Sequence, residues 1–170
     1  MTDDHPSKVE QIEEDLHEQA DRAAVAFHPP LMLLVLIVVG IGAQWLFDAA
    51  FLPAELGATI GIPIVAASLF IFGWAISTMI RGGASVPTNT ATDAIVSVGP
   101  FKLTRNPIYL SMALLLVGIG FWSNSLWFVS FAVVAILLLT RYVIQPEEHY
   151  LESKFGETYL RYKNKVRRWI

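Results

Sequence analysis

The sequence predicts an all-α integral membrane helical bundle with about four transmembrane helices, an N-terminal amphipathic helix and a C-terminal interfacial helix. Of the 170 residues, 54% are hydrophobic and only 16% are charged, whereas soluble domains carry about 25% charged residues. The apolar residues gather in long runs, which is typical of membrane-spanning helices. The chain has no cysteine, which excludes disulfides, thiolate metal sites and cysteine nucleophiles.

The first element is predicted as an acidic amphipathic cytosolic helix within residues 1–30. Eight of the fifteen acidic residues precede residue 22, and this acidic start does not resemble a signal peptide. Ser7 and Glu10 form a possible capping box, and His28 with the two following prolines ends the helix. A solvated or interfacial helix is the simpler interpretation, and a helix that pairs with a partner is the alternative.

Four apolar segments then follow within a membrane domain predicted over residues 31–170. A helix needs about 20 apolar residues to cross the hydrocarbon core, so two of the four are short and need support from flanking residues. The predicted spans cover residues 31–47, 60–80, 107–122 and 125–144, and an element at 145–170 completes the domain.

The basic residues predict the orientation of these spans. None of the twelve Lys and Arg residues lies in the first connection or in the short turn after residue 122. All of them lie in the N-terminal tail, around the second connection, or from Arg141 onward. Because basic residues favour the cytoplasmic side, we expect both termini to be cytoplasmic.

The connection between the second and third spans is too long for a simple turn, and such loops are often functional. It ends at Asn106 and Pro107, a pair typical of a helix start, because asparagine caps well and proline is tolerated at the first position. We therefore predict that Asn106 caps the third span. The free backbone N–H groups of that helix would then face the loop.

The C-terminal segment carries an apolar and aromatic face at helical spacing, formed by Leu151, Phe155, Tyr159 and Tyr162. This pattern predicts an interfacial helix, and its basic end favours anionic lipid headgroups. Glu147 and Glu148 lie just beyond the fourth span, where a solvated role is the simpler interpretation and a functional role is the alternative.

Two motifs in this half of the chain together resemble one protein family. The pattern GPF-x-x-x-RNP-x-Y begins at Gly99, and the pattern EE-x-x-L-x-x-x-FG-x-x-Y-x-x-Y begins at Glu147. In this order around a helical hairpin, they resemble the isoprenylcysteine carboxyl methyltransferase family and its relatives, the phospholipid N-methyltransferases. The resemblance covers roughly residues 60–168.

The resemblance implies a methyltransferase that uses S-adenosylmethionine, bound at the cytosolic helix ends. Carried over by position, the cofactor-binding residues are Asp93, Ala94, Ile95, Val96, Phe101, Asn106, Pro107, Ile108, Tyr109 and Glu147. The family also has an arginine that holds the methyl acceptor. Its position here is occupied by Val143, so Arg141 is the nearest candidate, and Arg141 and Glu147 are the candidate catalytic residues.

Two departures from the family pattern bear on the acceptor. The family often has histidine where this chain has Asn106, and asparagine cannot titrate near neutral pH. The chain ends in VRRWI, where prenylcysteine enzymes usually have proline after the valine, and this weakens the case for prenylcysteine. The sequence shows no dedicated general base, which mildly favours an acceptor that is already anionic.

These features leave three functional interpretations open. The first is a methyltransferase resembling the isoprenylcysteine carboxyl O-methyltransferases, acting on a lipophilic acceptor. The second is a phospholipid or small-lipid N-methyltransferase, and the third is a non-catalytic bundle that binds a partner through its N-terminal helix. We expect contact with membrane lipids and no nucleic-acid partner.

Other classes are disfavoured by the sequence. The predicted spans carry no Asp, Glu, Lys or His in their cores, which argues against a transporter. The four histidines are scattered without metal-ligand spacing, so we expect no metal site. Gly118 and Gly120 lie inside the third span, where small residues usually serve helix packing rather than nucleotide binding.

Overall fold

A computed structural model describes residues 28–82 and 95–170 of the chain. The helix predicted at the N-terminus lies almost entirely outside these residues. All regular elements in the described part are helical, as predicted. They are α1 (Pro29–Leu46), α2 (Ala54–Arg81), a 3₁₀ turn (Gly99–Lys102), α3 (Pro107–Trp122), α4 (Leu126–Leu139), a π-helical segment (Thr140–Ile144), α5 (Gln145–Phe155) and α6 (Glu157–Lys165).

Three stretches in the described residues are long and apolar enough to cross a membrane: Pro29–Leu46, Glu55–Arg81 and Leu126–Phe155. Helix α3 is apolar but has only 16 residues, which corresponds to a length of about 24 Å. It is the third of the four predicted spans, and its predicted bounds agree with the structure. That α3 also crosses the bilayer stays a prediction.

The helices that contain the second and fourth predicted spans are longer than those spans. Helix α2 begins at Ala54 rather than at residue 60. The predicted start was later because Glu55 lowers the local hydropathy. A glutamate is nevertheless favourable in the first turn, near the positive end of the helix dipole. The helix of the fourth predicted span does not end at residue 144. The chain passes from α4 through the π-helical segment into α5 without a break.

Small residues allow α2 and α3 to pack closely. A side chain at Gly118 would lie 2.8 Å from the backbone nitrogen of Val65, and one at Gly61 would collide with the backbone of Trp122. Across the same interface, the Ser68 hydroxyl of α2 donates to the carbonyl of Ser111 of α3 at 3.1 Å. Interfaces rich in small residues with polar contacts across them are typical of membrane helix pairs, so the packing role predicted for Gly118 is confirmed.

One end of the bundle is closed by Asn124, in the turn between α3 and α4. Its side-chain oxygen accepts the backbone N–H groups of Phe51 at 3.1 Å and Leu52 at 2.9 Å, and its amide donates to the carbonyl of Leu52 at 2.8 Å. Asn124 adopts a left-handed conformation with φ of 49°, which asparagine tolerates better than most residues. The two connections that lack basic residues therefore meet at one end.

The C-terminal segment is two helices rather than the single interfacial helix that the sequence predicts. Helices α5 and α6 are separated by Gly156, whose φ is 51°. The predicted aromatic face is only partly external, because Tyr159 is buried and Tyr162 is partly buried. The positive φ at Gly156 redirects the chain back toward the start of α3, where residues 166–170 pack.

Candidate active site

The site lies at the end of the bundle opposite Asn124, where α3 begins and α5 follows the π-helical segment. Tyr109, in the first turn of α3, is 6% exposed and packs in a cluster with Met112, Leu139, Val143 and Ile144. Its hydroxyl donates to Oε2 of Glu147 at 3.1 Å. The first turn of α3 and the first turn of α5 are thus joined by one side-chain hydrogen bond.

Glu147 has no ion pair with any residue in the described part of the chain. Its polar partner among the described residues is the neutral hydroxyl of Tyr109. A partly buried carboxylate without a cation is unfavourable unless it takes up a proton or something positive binds beside it. The arrangement therefore suits a cationic ligand.

Glu148, the next residue, has the opposite surroundings. Its Oε1 accepts from Nη2 of Arg105 at 2.8 Å and from Nε of Arg168 at 3.1 Å, and its Oε2 accepts from Nη2 of Arg168 at 2.6 Å. Glu148 is 5% exposed, so two guanidinium groups compensate a buried charge. The hydrogen bond to Glu148 raises the pKa of Arg168, although partial burial opposes this.

The C-terminal residues 166–170 lie against the loop that precedes α3, and we call them the C-terminal clasp. The carbonyl of Arg168 accepts from Oγ1 of Thr104 at 3.0 Å and from Nδ2 of Asn106 at 2.9 Å. The backbone N–H of Arg105 donates to the carbonyl of Arg167 at 2.9 Å. Trp169 packs against the cluster around Tyr109.

Asn106 does not cap α3 with its side chain, so this part of the prediction was wrong. It occupies the position before the helix, but no capping hydrogen bond forms there. The side-chain amide instead donates to the clasp at Arg168, because the returning chain supplies a carbonyl beside it. The backbone carbonyl of Asn106 accepts the first helical hydrogen bond, from Leu110 at 2.9 Å. The N–H groups of Ile108 and Tyr109 therefore precede the helix's own hydrogen-bond ladder.

Phe101, in the 3₁₀ turn, is held by α6. Its carbonyl accepts from the hydroxyl of Tyr162 at 2.7 Å. Burial raises the pKa of Tyr162 to about 12, although Arg105 lowers it, and burial also raises the pKa of Tyr159. Both phenols therefore stay protonated near neutral pH and can donate hydrogen bonds but not act as bases.

The loop ahead of the 3₁₀ turn holds four of the predicted cofactor-binding residues, and the structure describes two of them. Asp93 and Ala94 lie outside the described residues. Ile95 and Val96 are partly buried, and a side chain at Gly82, where α2 ends, would lie 3.0 Å from Cγ2 of Val96. This segment therefore returns to the end of α2.

Of the remaining predicted site residues, two lie at the start of α3 and one lies away from it. Pro107 is buried and Ile108 is partly buried at the start of α3. Arg141 is exposed on the π-helical segment, and its Nη1 donates to Oε1 of Gln145 at 3.2 Å. Val143, the position that the family pattern favours for an acceptor-binding arginine, is fully buried. The structure thus does not join Arg141 to the Tyr109–Glu147 pair.

Sequence reasoning missed the part played by Arg105 and Arg168. Arg105 was visible in the first motif but received no role, and Arg168 was visible only in the basic C-terminal end, a pattern that indicates headgroup contact rather than a buried ion cluster. The pair of adjacent glutamates was the available signal for such an ion cluster. If both carboxylates are buried, at least one of them requires compensating cations. Which arginines supply them depends on the return of the chain at Gly156.

Two comparisons with known proteins give matches to this chain. The sequence profile of a family described as phospholipid methyltransferase matches residues 56–158, which is more than half of the chain and includes the start of α3 and both glutamates. An uncharacterised protein of Haemophilus influenzae is 47% identical over 64 residues, which is 37% of this chain and 100% of that protein. No solved structure matches the chain significantly.

Proposed function

Because this chain belongs to the phospholipid methyltransferase family and is at that level a membrane methyltransferase, we propose that its methyl donor is S-adenosylmethionine and its acceptor a lipophilic molecule at the cytosolic membrane face. The observation that carries the proposal is Glu147, a partly buried carboxylate whose hydrogen-bond partner is the neutral Tyr109. The cofactor has a sulfonium cation and an amino-acid ammonium, and we assign to this carboxylate the ammonium, which S-adenosylhomocysteine also carries.

The other residues at the same end also fit the cofactor. The N–H groups of Ile108 and Tyr109 are outside the helical ladder, and the positive end of the α3 dipole favours an anion such as the amino-acid carboxylate of the cofactor. At the same end of the bundle, Nε of Arg105 is a buried donor without a hydrogen-bond partner in the described part of the chain. Phe101 and Tyr109 offer aromatic surfaces next to these polar groups.

When bound, the cofactor supplies an electrophilic methyl group that is transferred by in-line displacement. The residues of this chain then have to orient the acceptor against that methyl and exclude water. The apolar cluster at Tyr109 and the clasp residue Trp169 exclude water from one side of the site. Arg141 is proposed to contact the acceptor, since it is exposed near the membrane surface on the segment that leads to Glu147.

The proposal is tested by calorimetric titration of S-adenosylhomocysteine, the product form of the cofactor, into detergent-purified protein. We expect micromolar binding by the wild type and at least tenfold weaker binding by Glu147→Gln, a loss of about 1.4 kcal/mol. The matched control is Glu157→Gln, an exposed glutamate at the start of α6. Absence of binding by well-folded wild type would overturn the proposal.

Two acceptor classes compete. The resemblance noted above favours carboxyl O-methylation, as in the isoprenylcysteine enzymes, whereas the matching profile is that of phospholipid methyltransferases and favours N-methylation of a phospholipid or small lipid. Incubation with radiolabelled cofactor and membrane extract separates them. Label released as volatile methanol by alkali indicates a methyl ester, whereas label that survives alkali in the lipid headgroup indicates an amine. Arg141→Gln should raise the KM for the acceptor and leave S-adenosylhomocysteine affinity unchanged.

The orientation is proposed to place both termini in the cytoplasm, because the end of the bundle that carries the glutamates also carries the basic C-terminus. Reporter fusions that are active only on one side of the membrane test this. A C-terminal fusion active on the outer side would overturn the orientation and move the site away from the cytosolic cofactor pool.

A further inference from the structure

We propose that Arg168 of the C-terminal clasp is a positioning residue that sets the direction of the Glu147 carboxylate through its neighbour Glu148. The inference rests on the proposed function, because it assigns Arg168 to the cofactor site described above. Arg168 itself would not touch the cofactor. It would act on the site through the first turn of α5.

Arg168 joins two walls of the site at once. Its side chain holds both carboxylate oxygens of Glu148, at 3.1 and 2.6 Å. Its backbone carbonyl accepts from Thr104 at 3.0 Å and from Asn106 at 2.9 Å, just before α3 begins. The residue therefore ties the start of α5, which carries Glu147, to the start of α3, which carries Tyr109.

The helix preceding Glu147 makes such a tie necessary. Thr140–Ile144 forms a π-helical segment, which is wider and less common than an α-helix and often marks functional sites. This segment changes the rotation of α5 relative to a regular α-helix, and contacts from outside α4 hold α5 in the resulting orientation. One of these is again from the clasp, where Nε1 of Trp169 donates to Oγ1 of Thr140 at 3.3 Å.

The rotation of α5 decides which partners the two glutamates reach. Consecutive residues of an α-helix point about 100° apart, so a helix that directs Glu148 at the two arginines directs Glu147 at Tyr109. A bidentate guanidinium–carboxylate contact is geometrically specific as well as strong. Holding Glu148 in this way therefore fixes the orientation of Glu147 without any contact to it.

A purely structural role for Arg168 predicts a different behaviour from a positioning role. If Arg168 only stabilised the fold, its removal would lower the melting temperature and leave the affinity of the folded protein for the cofactor unchanged. If it orients Glu147, its removal weakens binding, and the weakening disappears once residue 147 has lost its charge. Coupling between two residues that do not touch is measured by a double-mutant cycle.

The experiment is calorimetric titration of S-adenosylhomocysteine into full-length wild type, Arg168→Met, Glu147→Gln and the double variant, each below its melting temperature. Arg168→Met should retain the fold, because Arg105 still pairs with Glu148 at 2.8 Å. We expect Arg168→Met to raise the Kd about tenfold in the wild-type background and less than twofold in the Glu147→Gln background. Arg167→Met, the exposed neighbouring arginine, should stay within twofold of wild type.

Each outcome has one meaning. Equal weakening in both backgrounds, or no weakening in either, overturns the positioning role while leaving the proposed function intact, provided that the wild type binds. Absence of binding by wild type overturns the proposed function and this inference together. If Arg168→Met does not fold, Arg168→Lys replaces it in the same cycle, since lysine keeps the charge but cannot make the bidentate contact.

Discussion

The two ends of this helical bundle are each closed by one polar residue, and the difference between the two residues indicates where function lies. At one end, the neutral amide of Asn124 uses both its acceptor and its donor on the backbone of residues 51–52. At the other end, Glu148 is compensated by two arginines, but Glu147 beside it has only a neutral hydroxyl. The Asn124 side chain is fully paired within the fold, whereas the second end has a carboxylate that no cation of the described residues compensates.

An excess charge at a structured position is difficult to explain by stability alone. Burying a carboxylate costs free energy unless a cation or several hydrogen bonds compensate it. The fold has paired Glu148 fully and has left Glu147, on the same helical turn, with one donor. Glu148 therefore stabilises the site, whereas Glu147 remains available to a ligand.

The largest effect is expected from Glu148→Ala. Removing this carboxylate leaves Arg105 and Arg168 without their shared anion, and breaking a buried ion pair costs about 3 kcal/mol or more. Denaturant titration should show the loss in the free energy of unfolding. The control is Glu152→Ala, whose ion pair with Lys163 is about one third exposed and should cost less than about 1 kcal/mol. Similar losses in both variants would show that Glu148 is not the structural hub of this end.

Asn124→Ala should have the next largest effect, at the opposite end. It leaves the N–H groups of Phe51 and Leu52 and one carbonyl without their partner, which should cost about 2 kcal/mol in the free energy of unfolding. Affinity for S-adenosylhomocysteine should not change in the folded protein. A change in affinity would show that the two ends of the bundle are coupled.

Glu147→Gln should separate binding from stability. The glutamine keeps an acceptor for Tyr109, so the free energy of unfolding should change by less than about 0.5 kcal/mol, as for substitutions that remove no structural contact. Affinity for S-adenosylhomocysteine should fall at least tenfold, about 1.4 kcal/mol. A large loss of stability with unchanged affinity would reverse the roles assigned to the two glutamates.

Tyr109→Phe should have the smallest effect of this series. It removes one hydrogen bond to Glu147, worth about 1 kcal/mol, which corresponds to about fivefold weaker cofactor binding. In a Glu147→Ala background the same substitution should have no effect on affinity, because the acceptor is already gone. An undiminished effect in that background would show that Tyr109 contacts the ligand through its own hydroxyl.

Much of the fold can be predicted from hydropathy, and the differences between the predicted spans and the observed helices have physical causes. The third span agrees in its bounds because asparagine and proline stop the helix at one end and a polar turn stops it at the other. The second predicted span began at residue 60, whereas its helix begins at Ala54, since hydropathy treats Glu55 as a boundary even though a helix start accommodates it. The fourth was cut at residue 144, although the backbone stays helical into polar sequence.

The candidate site was predictable in its location but not in its connections. Tyr109 and Glu147 were identified through two motifs around a hairpin, and the structure places them 3.1 Å apart. The side chain of Asn106 was expected to cap α3 and instead holds the clasp. Arg105 and Arg168 were not assigned, since their spacing along the chain gives no sign that both reach Glu148.

The sequence by itself determined the elements of this protein: apolar helices, their stop signals and the two polar motifs at their ends, because these depend on local composition and on the cost of exposing backbone and charge to lipid. Only the tertiary structure decided which glutamate is compensated. That choice depends on the turn at Gly156 and on the π-helical segment, which together bring residues far apart in the chain to adjacent carboxylates. The pairing of long-range charges is a property of the packed fold and cannot be deduced from their spacing along the chain.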